Sequence, residues 1–199
     1  TLPSLPEREW RAGLAEVIKY GIIRDAALFR RLERDLPALL AREPKTLADV
    51  VARCCALKAE VVGRDETEGG LRAILNFGHT IGHAIEAISG YGRYLHGEAI
   101  AIGQVAAAAL SAALLALPAA DVRRIAALFK RAGLPTAIRL GPAQRRRLFH
   151  AMQLDKKVSG GDIQFVLARR IGEVVWGQKV PAEWIHRVLD HEGGSGARP

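Results

Sequence analysis

Residues 71–117 read LRAILNFGHTIGHAIEAISGYGRYLHGEAIAIGQVAAAALSAALLAL, and the fold turns on them. Apolar residues recur at helical spacing through LRAILNFGHTIGHAIEAIS, which predicts one helix closed by Gly90. The loop GYGRYLHG then leads into an alanine-rich helix. From Ala99 to Leu117 no residue is charged, a length that could cross a bilayer. The run is nevertheless dominated by alanine, contains Gly103, Gln104 and Ser111, and lacks both an aromatic belt and a flanking basic cluster. It reads as the central helix of a globular bundle, apolar all round because it is covered all round, with no membrane as partner.

Helical periodicity extends outward in both directions. Upstream, a first helix runs from about Pro6 through EREWRAGLAEVIKYGIIRD, a second covers Ala26 to Ala41, and Pro44 opens a third reaching about Gly63. The polar turn RDETEGG follows. Downstream, helices at Ala119 to Ala132 and Pro142 to Leu154 are separated by the breaker-rich GLPTAIRLGP. The period then changes: IQFVLA and EVVWG, separated by RRIG, form a hairpin pattern, and a last helix starts at Pro181. The fold class is therefore mainly α, a helical bundle with a short β-hairpin near the C-terminus. One domain is expected over 1–192, with a flexible tail over 193–199. The opening TLPSLPEREW has no signal-peptide pattern and reads as a cut edge.

Composition narrows the function class. Among 199 residues, 49% are hydrophobic and 25% charged, which excludes a disordered or low-complexity chain. The two cysteines, Cys54 and Cys55, are adjacent and cannot staple distant segments, so a reducing, cytoplasmic setting is expected, with both thiols in helix packing. The net charge of +8 and the run Arg145, Arg146, Arg147 raise nucleic acid as a partner. No helix-turn-helix, zinc-finger or aromatic RNA-binding signature accompanies them, so the run is read as a solvated helix face. Trp10, Trp176 and Trp184 are assigned to packing.

Three of the 6 histidines crowd into His79, His83 and His96. His79 and His83 stand at i and i+4, on one helix face, so two imidazoles can converge. Taken alone, the pair reads more readily as surface or capping histidines than as metal ligands; no Glu sits inside it, which excludes the zincin pattern. Glu98 follows two residues after His96. Glu68, Arg72 and Asn76 recur at four-residue intervals toward His79, placing polar groups on a face that a core helix would keep apolar. Glu16 and Lys19 sit amid Leu14, Val17, Ile18 and Ile22, an arrangement that reads first as a surface salt bridge.

GLAEVIKYG, KAEVVGRDETEGGLRAILNFGHTIGHAIEA, YLHGEAIAIG, and DKK ahead of a hairpin with IGEV together resemble the C-terminal domain of 3-dehydroquinate synthases, in order and spacing. The resemblance covers about Pro6 to Gly177. Sister sugar-phosphate cyclases share the architecture and form the main alternative, beside a metal-binding fragment without catalysis. The resemblance implies a helical domain beside an N-terminal nicotinamide-binding domain that these residues do not include. No glycine-rich strand-to-helix turn is present to bind a dinucleotide.

It further implies zinc, or cobalt, held by Glu16, His79 and His96, a carboxylate and two imidazoles that leave coordination positions open as catalysis requires. Lys19, Lys58, Glu68, Arg72, Asn76, His83 and Lys157 are implied to line the substrate pocket, and Ser4, Leu5 and Glu9 to border NAD. The implied reaction turns a seven-carbon sugar acid phosphate into a carbocycle with loss of phosphate, in the shikimate pathway. By resemblance the partners are this small molecule, the nucleotide-binding domain and, since the family commonly dimerises, a second copy of the chain.

Overall fold

Asp25 separates the first two helices by a capping geometry its side chain dictates. Its carboxylate accepts from the N–H groups of Ala27 and Leu28 at 3.0 and 2.9 Å, which starts α2 (Ala26–Leu40) where α1 (Glu7–Ile23) has ended. Glu43 does the same for α3 (Pro44–Arg64), accepting from Lys45 and Thr46, with Pro44 at the first helical turn. Asp65 then caps the next segment through the N–H groups of Gly70 and Arg72. The computed structural model describes residues 2–65, 70–90, 92–155 and 163–191. The tail expected at 193–199 lies outside them.

The helix expected across 71–89 is two pieces. Leu71–Asn76 is a 3-10 helix, and α4 spans only His79–Ser89. Between them Gly78 adopts φ +81°, a left-handed conformation that side chains rarely take, and a Cβ there would collide with the Gln104 backbone. A 3-10 turn repeats every three residues, so the four-residue spacing of Arg72 and Asn76 does not stack them on one face. Close packing against the next helix overrides the helical period of the sequence.

That next helix, α5 (His96–Leu115), is the axis of the fold and begins three residues earlier than the uncharged run. The described portion is completed by α6 (Ala119–Arg131), α7 (Pro142–Asp155), the strands β1 (Gln164–Arg170) and β2 (Glu173–Lys179), and α8 (Ala182–His191). The strands pair antiparallel, and the turn N–H of Gly172 donates to the Ile22 carbonyl at 2.7 Å, docking the hairpin on the end of α1. α5 packs against α1, α4, α6, α8 and β1. It is long and apolar enough to cross a membrane, but its surface is mostly covered by these neighbours. Its two polar core residues are cross-links: Gln104 Nε2 donates to the Ala15 carbonyl at 3.1 Å, and Ser111 Oγ accepts from the Ala168 N–H at 2.8 Å.

Two apolar clusters flank this axis. Phe29, Leu32, Leu39, Leu57 and Phe129 pack α1, α2, α3 and α6; Ile81, Ile85, Leu148, Met152 and Ile185 pack α4, α7 and α8. At the seam, Gly97 lies so close to α1 that a Cβ would overlap the Ala12 carbonyl. This contact brings the start of α5 beside the helix that carries Glu16, while Gly78 brings the start of α4 against α5. Cys54 is buried as expected, whereas Cys55 faces solvent.

Candidate metal centre

Three chain segments meet where α4 and α5 begin. Glu16, from the middle of α1, His79, the first residue of α4, and His96, the first residue of α5, bring ligand atoms within 4.8 Å of one another. Glu16 divides its oxygens between two tasks. Oε2 accepts from Lys19 Nζ at 2.5 Å, while Oε1 is buried with no hydrogen-bond partner. Lys19 is itself buried, at 3% exposure, while the Glu16 side chain is partly exposed, so the expected surface salt bridge anchors a buried lysine. Burial lowers the Lys19 pKa, Glu16 opposes that shift, and the nearby Lys58 ammonium adds to it.

The orphaned Glu16 Oε1 lies 3.6 Å from His79 Nε2. The His79 side chain is mostly covered, and burial, aided by the Lys19 charge and opposed by Glu16, depresses its pKa to about 4. Neutral at pH 7 and too distant to hydrogen-bond, His79 leaves this carboxylate oxygen unsatisfied. The other ring nitrogen, Nδ1, faces the Phe77 carbonyl at 3.2 Å. A carbonyl only accepts, so Nδ1 carries the proton and Nε2 presents its lone pair toward Glu16.

His96 is held in the same manner. Its Nδ1 lies 3.2 Å from both Glu86 oxygens, which leaves Nε2 for a ligand role. An imidazole anchored at one nitrogen and metallated at the other is the usual arrangement of a histidine ligand. The 3.6 Å between Oε1 and Nε2 is also close to the roughly 3.4 Å that separates two ligands bound about 2.1 Å from one tetrahedral ion. A divalent cation such as zinc or cobalt fits this donor set, and it would satisfy the one buried carboxylate oxygen among the described residues that has no hydrogen-bond partner.

Beside the ligands a cavity of about 380 Å³ is lined by Asn76, His79, His83, Gln164, Trp176 and their neighbours. The structure thus gathers His79, His83 and Asn76 around one cavity. Lys58, exposed on α3, lies close enough to act on Lys19. Arg72 is half-buried at the start of the 3-10 turn. Glu68 and Lys157 lie outside the described residues. Ser4 and Glu9 are exposed and Leu5 is half-buried near the N-terminus, its carbonyl accepting from Arg42 at 2.8 Å. None of the three is among the residues that line the cavities described here.

Two residues were not anticipated in the site. Trp176, assigned to packing, is 41% exposed and forms a wall of the cavity from the hairpin. Glu86 was passed over although its i+3 spacing from His83 puts it on the histidine face. Conversely, Glu98 serves structure. It accepts from the Leu95 N–H at 2.9 Å, capping α5, and accepts from Arg8 Nε and Nη2, each at 2.7 Å.

Hydrogen bonding from Arg8 holds the Glu98 carboxyl below its ordinary pKa, against the opposing effect of burial. A depressed folded pKa stabilises the fold above the unfolded value, near 4.3, and that contribution disappears as pH falls through the folded value. Glu98→Gln is therefore expected to cost up to about 1 kcal/mol at pH 7 through the lost ion pair to Arg8, a cost that shrinks on acidification. Urea unfolding of both chains at pH 7 and pH 3.5 checks this; a gap that widens in acid contradicts it.

Residues 13–158 match the family described as 3-dehydroquinate synthase C-terminal. The chain is 53% identical over 189 residues to the 3-dehydroquinate synthase of Acidithiobacillus ferrooxidans, covering 95% of this chain and 51% of that protein. It is 51% identical over 189 residues to that of Gloeobacter violaceus, covering 95% and 52%. It therefore spans about half the length of these curated relatives. Among solved structures, it superposes on 2-epi-5-epi-valiolone synthase from Streptomyces hygroscopicus, bound to NAD+ and Zn2+, with TM-score 0.81 and 26% identity, covering 96% of this chain and 53% of that one. It also superposes on 2-deoxy-scyllo-inosose synthase complexed with carbaglucose-6-phosphate, NAD+ and Co2+, with TM-score 0.81 and 27% identity, covering 95% and 54%. By the extent of its match the chain belongs to the 3-dehydroquinate synthase C-terminal domain family.

Proposed function

We propose that the chain is the metal- and substrate-binding half of a 3-dehydroquinate synthase, a phosphate-eliminating lyase that converts 3-deoxy-D-arabino-heptulosonate 7-phosphate to 3-dehydroquinate in aromatic biosynthesis. The observation that carries this reading is the buried, unpartnered Glu16 Oε1 facing the His79 lone pair, completed by His96. Identity near half to curated synthases favours the acid phosphate over the substrates of the sister cyclases. The remaining half of such a protein would supply the NAD site.

Glu16, His79 and His96 would hold the divalent ion, whose Lewis acidity toward the substrate's hydroxyl and carbonyl oxygens is the chemistry it supplies. Lys19 fixes the Glu16 carboxylate from within the core and places a cation beside it. Arg72 and Lys58 are the proposed partners of the substrate carboxylate, Arg72 through its planar fork. His83 and Asn76, on the cavity wall, orient the polar end of the substrate, and His83 has a nitrogen able to move a proton. Trp176 gives the cavity an aromatic wall on the hairpin side.

The test joins this chain to the N-terminal half of the Acidithiobacillus relative and follows phosphate release. Release from the heptulosonate phosphate, and not from a neutral heptulose phosphate, is the expected result. The opposite preference makes the chain part of a sister cyclase.

A further inference from the structure

His96 faces two sets of ligands. On one side stand Glu16 and His79; on the other, His83 and Glu86 also bring ligand atoms within 4.8 Å of His96 and of each other. The three imidazoles form a tight triangle, with ring centroids 5.1, 5.6 and 5.9 Å apart. The geometry points to a second divalent-ion position, built from His83, Glu86 and His96, that shares His96 with the inner set.

Three observations carry it. Each Glu86 oxygen is 3.2 Å from His96 Nδ1, near the roughly 3.4 Å expected between two ligands of one tetrahedral ion at about 2.1 Å. The donors, two imidazoles and a carboxylate, suit zinc or cobalt as well as the inner set does. Access differs for two of the three ligands: a cavity of about 550 Å³ opens onto Glu86 and His96 and is not lined by Glu16 or His79, while His83 lines the cavity of about 380 Å³ beside His79. The His96 side chain is 50% exposed against 12% for His79, so an ion entering from the larger cavity meets Glu86 and His96 before it reaches His79. A neutral imidazole has one nitrogen lone pair, so His96 serves one position at a time. The outer set is thus an alternative seat, filled when the inner one is not.

The position goes beyond the proposed synthase activity, and cobalt alone tests it in this chain. Glu16→Ala removes an inner ligand and leaves the outer set whole. The variant is expected to bind cobalt about 10- to 100-fold more weakly than the parent chain. Adding His83→Ala or Glu86→Ala should then eliminate the remaining binding, read from the visible absorption of the bound ion. His79→Ala, which spares the Lys19 pair, repeats the test without disturbing that buried contact. If Glu86 only orients His96, Glu16→Ala and His79→Ala both lose cobalt outright while keeping their helical circular dichroism; that result overturns the second position. Loss of cobalt from both variants with binding by the parent chain retained leaves the inner set standing, so failure of this position is not failure of the proposed synthase reading.

Discussion

His96→Ala is expected to weaken zinc or cobalt binding by at least ~1000-fold, about 4 kcal/mol, while leaving the fold in place. His96 belongs to both ligand sets, so its loss leaves neither with three donors. Its ring is half-exposed at the first residue of α5, and the helix start is held independently by the Glu98 cap and by Gly97 against Ala12. Removal of the imidazole therefore takes away ligation and little packing. Equilibrium dialysis against zinc, with circular dichroism on the same samples, checks both parts. Stoichiometric zinc on a folded His96→Ala chain contradicts the assignment.

Arg72→Ala in the joined enzyme is expected to lower kcat/KM for the heptulosonate phosphate by at least ~100-fold, about 2.7 kcal/mol. A charge-assisted, bidentate contact to the substrate carboxylate and the placement it enforces are lost together. Arg72 also contributes its backbone N–H to Asp65, and that bond survives the substitution because it does not involve the side chain. Steady-state kinetics on both enzymes gives the ratio. Near-parent efficiency with the acid phosphate removes Arg72 from the site.

Much of this arrangement was legible in the sequence because it is local. The helix starts near Ala26 and at Pro44 and the hairpin flanking RRIG depend on neighbours a few residues away. The break at Phe77 and Gly78 was not, since the apolar period runs through it and only the approach of Gln104 forbids a continuous helix. Lys19 reads as surface because its partner is in the same helix; its burial comes from elements distant in sequence. Glu86 was within reach, three residues after His83. Its role depends on a return of the chain after Gly90 that brings His96 back beside it, and no spacing encodes that. Trp176 has the same character: strand alternation gives its face but not the cavity that face borders.

Crystals of the chain grown with one equivalent of zinc, measured at the zinc absorption edge, test the central claim most directly. The account predicts one strong anomalous peak within coordinating distance of Glu16 Oε1, His79 Nε2 and His96, with the Lys19 pair to Glu16 Oε2 retained. A peak that leaves Glu16 Oε1 without a ligand contact, or zinc bound only at surface carboxylates, would contradict it.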